Sequence, residues 1–535
     1  MNDVVSADVL IVGSGPIGST YARILVEGGA TVLMVDAGAQ LSPTPGHHLR
    51  NERVYQYNKN NFEDMVAANI QPYSVPTQSG YQETLDKTAY WSTSDRVFNF
   101  HNPAQKEELN LSAAGGSYAV GGMFTHWTAA TPRQHPTLER TPIIPAEEWD
   151  DLYDEAERFF NTHTDQFDFE RQRVVKKALT DHFASVPEGY PYPVPDDYPV
   201  QNLPVAAERR NGFDGEHQYV HWTGVDTVLG PLLTDPELSE RFTILPQHLV
   251  TRLEHQGGKV QRAHVQDFNS LTELTIEADR FIVATGAIFG PQLLWASGIR
   301  SEALGRYLND QICASCLVVL SKEIIESLGP PTPDDPIPMP LWAPEPEVWI
   351  PVSEKRPWHC QIHYDPINFT TPGGEFVDER LLVFVQWFGM TEAEEHNRVT
   401  FSADVPDLMG MPQPTFEYRV GEKAAQRAHE MIGDMSAASL AIGGWLPGQL
   451  PEFEPPGASL HLCSTTRMGE ADDGTSVVDP YSKHWGFDNL WVGGCGVIPQ
   501  MCACNPTLTA AAMAVRSARA ITGTQASPGG GGTYA

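Results

Sequence analysis

The stretch from Asp8 to Gly38 constrains this chain more than any other. It reads as an apolar strand (Val9-Leu10-Ile11-Val12), a glycine turn, a helix, and a second apolar strand (Thr31 to Val35) ending at Asp36. The turn, Gly13-Ser14-Gly15-Pro16-Ile17-Gly18, fits G-x-G-x-x-G. In that pattern Gly13 serves the tight turn, Gly15 lets the backbone approach a pyrophosphate, and Gly18 lets helix and strand pack closely. The helix N-terminus then offers free N–H groups and a positive dipole end to phosphate. Asp36 stands where a carboxylate accepts hydrogen bonds from a ribose. Strand, turn, helix, strand and acid fall in register, so a dinucleotide site is expected here.

At 535 residues the chain exceeds one ordinary domain, and two intimately joined domains are expected. Its formal charge of -33 disfavours nucleic acid and anionic membrane as partners, because both require basic surface. The N-terminus enters the first strand within eight residues, with no signal peptide recognisable before it, and no apolar run reaches membrane-spanning length. The seven cysteines are scattered, and only Cys313-Ala-Ser-Cys316 has C-x-x-C spacing, inside an apolar run. Lacking a second pair, it makes a poor zinc site, and no metal is expected. Reduced, buried cysteines in a cytoplasmic protein are the reading.

Along the chain, residues 39–96 read as an aromatic, loop-rich segment lying over the nucleotide. Gly115-Gly116-Ser117 and Gly121-Gly122 follow, and paired glycines let a backbone lie flat on a planar ligand. Residues 146–182 read as helix, and 187–204 as a surface loop. Strand-like runs at 243–246, 249–253 and 260–265 suggest a small inserted sheet, and Arg280 to Ala287 a buried strand ending in A-T-G. Nine prolines from Pro330 through Pro351 predict a linker that cannot enter a sheet interior. Leu381 to Phe388 reads as a buried strand, Glu422 to Leu440 as a helix, and 490–496 as a strand. Asn505 and Pro506 look like the cap and first turn of a final helix. The nucleotide domain is therefore expected to be assembled from both ends of the chain.

Several segments together carry a resemblance. They are Gly13–Gly18, Gly121-Gly122-Met123-Phe124-Thr125-His126-Trp127-Thr128, Ala284-Thr285-Gly286, Leu304-Gly305-Arg306-Tyr307-Leu308, Gly410 to Phe416, Leu460-His461-Leu462, Arg467-Met468-Gly469, and Asn505 to Ala510. The set resembles the glucose–methanol–choline oxidoreductases, and within them the pyranose oxidases and glycoside 3-oxidases. T-H-W-T and M-P-Q-P-T-F are its most specific elements.

The resemblance implies an α/β (α+β) fold: a Rossmann-like FAD-binding domain built from both termini, and a substrate domain on an antiparallel sheet flanked by helices. Residues 1–180 and 181–310 would be the first parts of the FAD domain, and 311–455 mainly the substrate domain. Residues 456–523 would complete the FAD domain, leaving 524–535 as a disordered tail. His461 and Asn505 would be the catalytic pair, and His126 would attach the flavin through its ring with Thr128 nearby. Val250 and Thr507 would join Gly13, Gly15, Gly18, Asp36 and Gly122 at the cofactor. Gln361, His363 and Asp365 would lie on the substrate side.

Two departures stand out: the fungal pattern has Ser at Phe124 and a second His at Thr466. The chain is also shorter than the fungal enzymes between Asp310 and Gln361, which implies an open entrance suited to glycosides and weakens the case for a tetramer. A monomer or small homo-oligomer is expected. The implied reaction oxidises C2 or C3 of a sugar or glycoside, with O2 or a quinone as acceptor. Judged by residues alone, a nicotinamide dehydrogenase or a non-catalytic flavin-binding protein stays open.

Overall fold

The computed structural model describes residues 4–57, 59–76, 101–167, 170–211, 218–327, 347–363, 382–500 and 502–523. Asp365, the 524–535 tail and most of the proline-rich segment lie outside the described residues.

Two seven-stranded sheets organise the molecule. In the first, Val4–Val12 lies between Val32–Val35 and Thr272–Val283, all parallel. Thr272–Val283 is long enough to serve two partners on its other edge. Its early residues pair antiparallel with Lys259–Asp267, and Phe281–Val283 pair parallel with Leu490–Val492. His248–Gln256 completes the meander. The helices Pro16–Glu27 and Thr507–Thr522 pack on each other, so both ends of the chain build this unit.

The second sheet is antiparallel, in the order Gly443–Trp445, Ile312–Leu320, Leu382–Gly389, Trp358–His363, Val348–Ile350, Gln201–Asn202, with Glu452–Phe453 as a seventh strand also pairing with Ile312–Leu320. Side chains alternate along a strand. Trp358, Cys360 and Ile362 therefore join a core with Met431 and Met435 of helix Glu422–Ile442 and Leu179 of helix Glu170–Ser185. His359, Gln361 and His363 face the other way and are also buried. In that core the Arg356–Asp434 ion pair (2.6 Å) is fully buried, and Trp358 Nε1 donates to the same carboxylate.

Several expectations need correction. Phe242–Leu245 belongs to the parallel sheet beside Val32–Val35, not to the inserted meander, because a four-residue apolar run does not specify its sheet. Residues 59–69 are helical, with Phe62 and Val66 packing on Leu49. The segment expected as one helix from 146 breaks at Asn161, which is left-handed (φ 53°), into Trp149–Phe160 and Glu170–Ser185. Val348–Ile350 is an interior strand: between Pro346 and Pro351 the chain has no proline and three apolar residues. Gln201–Asn202, inside the expected loop, pairs at the edge of the same sheet. The strand predicted at 490–496 ends at Val492, where a Cβ on Gly493 would meet the Tyr21 ring at 2.8 Å. The final helix has Pro506, not Asn505, at its N-cap. Cys313 and Cys316 point to opposite faces of one strand, and Cys495 is only half-buried.

Candidate active site

A cavity lies at the carboxyl ends of the parallel strands, lined by Val12, Val35 and Ala284. Of the residues named for the cofactor, Gly13, Gly15, Asp36, Gly122, Val250 and Thr507 line it; Gly18, His126 and Thr128 do not. Gly13 is left-handed (φ 97°), and a Cβ on Gly18 would sit 2.0 Å from the Gly13 carbonyl oxygen, so Gly18 serves packing. At Gly15 a Cβ would meet nothing within 4 Å: this face of the loop is open, and the helix it begins has no side-chain cap.

Asp36 first orders the loop. Its carboxylate accepts from Ser14 N (2.9 Å), Ser14 Oγ (2.6 Å) and Gly38 N (2.7 Å). Burial raises its pKa, which these hydrogen bonds oppose. Three of about four acceptor positions are thus used, leaving one for a ligand hydroxyl.

His126 is buried one side chain back from the cavity. Its Nε2 lies 2.7 Å from the Oγ of Ser117, which does line the cavity, and burial pushes its pKa down to about 4. Phe124 turns away from the ligand side and stacks on Trp127 (3.7 Å between centroids), with Phe160 at 4.9 Å. Thr128 is exposed.

The second group of residues lies beside the cavity, next to lining residues Leu460, Leu462 and Thr507. His461 and Asn505 meet there, with Nε2 of the imidazole 3.2 Å from Nδ2 of the amide. Gln361 Nε2 donates to Asn505 Oδ1. Three of the four described residues expected at the chemistry are therefore in contact; His363 sits two positions along the same strand face, its ring 5.3 Å from that of Phe384. Burial pushes the His461 imidazole down to about 3.

Sequence reasoning passed over other members of this cluster. Gln311 Oε1 lies 2.7 Å from His461 Nδ1, and Gln311 Nε2 donates to the Cys504 carbonyl at 3.0 Å. The Phe388 ring is 5.4 Å from His461 and 5.1 Å from His359. Glu139 accepts from the backbone N–H of Ala503 (2.7 Å) and Cys504 (3.0 Å), holding the segment that presents Asn505. The carboxylate of Asp310 is bound by Ser459 Oγ and Gly457 N, which holds the approach to His461. Gln311 stands three residues after Leu304-Gly305-Arg306-Tyr307-Leu308, past Asn309 and Asp310, and nothing in residue type or spacing marks it there.

Comparison with known proteins fits this arrangement. Residues 211–313 and 393–514 match the GMC oxidoreductase family, and 6–75 match an FAD binding domain. Pyranose 2-oxidase of Tricholoma matsutake is 37% identical, over 96% of this chain and 93% of its own. The chain belongs to the GMC oxidoreductases. This GMC oxidoreductase is also 34% identical to the C-glycoside 3-oxidase of Arthrobacter globiformis, over 96% of this chain and 95% of that one. Among solved structures, a formate oxidase of Aspergillus oryzae shares the fold, with 15% identity, a TM-score of 0.66, and 98% and 99% of the two chains covered.

Its cofactor is FAD. Three features of the cavity fit that group: the open face at Gly15, the helix start at Thr507 with no side-chain cap, and Thr285 Oγ1, buried without a partner among the described residues. The first two suit phosphate or ring carbonyl oxygens, and the third suits a polar atom of the ligand. Among the described residues, no helix is long and apolar enough to cross a membrane.

Proposed function

We propose that this protein oxidises a secondary hydroxyl, at C2 or C3, of a pyranose sugar or glycoside to the ketone, with O2 as acceptor and H2O2 as co-product. The observation that carries the reading is the His461–Asn505 contact at 3.2 Å, in a chain similar over nearly its whole length to proteins named pyranose 2-oxidase and C-glycoside 3-oxidase.

Bound FAD would supply the acceptor for the hydride on the carbinol carbon. The remaining work falls to side chains. His461 takes the hydroxyl proton at Nε2, and its lowered pKa keeps that nitrogen unprotonated at neutral pH. Asn505 Nδ2–H steadies the developing alkoxide, and Gln361 fixes the amide by donating to its oxygen. His363 and Gln361, with Asp365, hold the other sugar hydroxyls. His126 is the residue that attaches the flavin, a role supported by its contact with cavity-lining Ser117. With attachment, acid precipitation carries FAD down with the wild-type protein and releases it from His126→Ala.

NMR of the product made from D-glucose and from an aryl or C-linked glucoside tests the reaction. A 2-keto sugar or a 3-keto glycoside supports it and fixes the carbon. No keto product from either would refute it. Turnover of a quinone without peroxide would replace O2 as acceptor.

A further inference from the structure

Gln311 is absorbed by neither the family motifs nor the reaction as drawn, yet it touches the proposed base directly. It is buried in the loop ahead of strand Ile312–Leu320, 150 positions from His461 in the sequence. Its two ends are distinguishable by their partners. The Cys504 carbonyl can only accept, so the Gln311 end facing it at 3.0 Å is the NH2 group, and the end facing His461 Nδ1 at 2.7 Å is the carbonyl oxygen. An amide oxygen carries no proton, so the hydrogen in the second contact belongs to Nδ1. Neutral imidazole has one N–H, which leaves Nε2 bare. The other side follows from it: a bare Nε2 can only accept, so the Asn505 end facing it at 3.2 Å is the NH2 group, and Asn505 Oδ1 is left to accept from Gln361.

We infer that Gln311 is a positioning residue that selects the Nδ1–H tautomer of His461 and thereby decides which ring nitrogen is free to take a proton from substrate. An amide also differs from a carboxylate in this place. It supplies an acceptor without a charge, so the ring is oriented but not held as an imidazolium. Other titratable groups around the ring are few. Asp310 has its carboxylate bound by Ser459 and Gly457 on the approach to His461, and His359 stands across Phe388. Cys463 donates to the His461 carbonyl, and Cys502 lies 3.8 Å from Gln311 Nε2. None of these gives Nδ1 the partner that Gln311 gives.

The consequence for catalysis rests on the proposed role of His461, but the tautomer can be read without substrate. The test is nitrogen NMR of holoprotein whose histidines carry a heavy nitrogen isotope, with the His461 signals identified by their loss in His461→Ala. The wild type should show a protonated Nδ1 and a bare Nε2 across neutral pH. Gln311→Leu should give a mixture of tautomers or the opposite one. Gln311→Glu should keep Nδ1–H but raise the His461 pKa by roughly 1–3 units. The pH profile of flavin reduction should move upward with it, whereas Gln311→Leu should slow reduction at every pH without shifting the profile. A wild-type His461 protonated at Nε2, or three proteins with the same tautomer and the same pKa, would overturn the inference. A protein that showed the Nδ1–H ring yet reduced its flavin with no sugar would refute the proposed reaction and leave the inference standing.

Discussion

The glycine loop at Gly13–Gly18 and the cluster around His461 are built from different materials. In the first, contact is made by backbone: an open face at Gly15, a left-handed Gly13, and a Gly18 pressed against the Gly13 carbonyl. All of it lies within six consecutive residues, and one carboxylate, Asp36, ties it together through Ser14 and Gly38. The second is made of side chains from four distant segments, Gln311, Gln361, His461 and Asn505, each oriented by the next. A backbone site tolerates changes that leave the turn intact, while a side-chain relay depends on every member and on the sheet that carries it.

The largest expected effect lies in the relay. His461→Ala should slow flavin reduction by about 10²–10⁴-fold while FAD stays bound, because the cradle shares no side chain with it. Stopped-flow reduction alongside the flavin content measures both, and simultaneous loss of FAD would show that the two regions are not separable.

Next is the support behind the relay. Arg356→Leu leaves Asp434 as an uncompensated buried carboxylate and should cost about 3–5 kcal/mol in urea unfolding. A change below about 1 kcal/mol would mean that the second sheet does not rely on that pair.

Acid should weaken the same region. His359 is fully buried, its Nδ1 accepts from Trp349 Nε1, and burial pushes its pKa down to about 3 from an ordinary 6.5. Between those values the unfolded chain binds the proton and the folded one does not, so stability falls as pH drops from 6.5 towards 3. By pH 5 the loss from this residue is about 2 kcal/mol. Comparing unfolding midpoints at pH 7 and 5 for wild type and His359→Gln isolates it: the variant should show the smaller drop, and equal drops would remove His359 as a source.

The smallest effect on stability belongs to the cradle. Gly15→Ala should change apoprotein stability by under about 1 kcal/mol, since its Cβ meets no protein atom, yet weaken FAD retention on gel filtration. Gly18→Ala should instead destabilise the fold itself. Equal behaviour of the two would erase the distinction between ligand-facing and packing glycines.

These two regions were unequally legible in the sequence for the same reason. G-x-G-x-x-G states its geometry locally, and the strand at 382–389 and helix at 422–442 fall within two residues of where apolar pattern put them. Sheet membership was harder: the four residues 242–245 pair parallel with Val32–Val35, which a short apolar run cannot announce. His461 and Asn505 were named through family motifs, since nothing in spacing joins positions 44 apart. Gln311 has no periodic or compositional signature at all, and only its contacts single it out. Asn505 reads like a helix cap by residue type, but its amide is bound to His461 and Gln361, and the cap position passes to Pro506. Phe124 looked like a departure beside the flavin and is instead part of the core behind the loop.

The most direct test of the account is anaerobic mixing of the purified protein with D-glucose and with an aryl or C-linked glucoside, following the flavin's visible absorbance. Bleaching by either substrate, lost in His461→Ala with FAD still bound, is the predicted result. A bound flavin that stays oxidised with both, or is reduced as fast without His461, would contradict it.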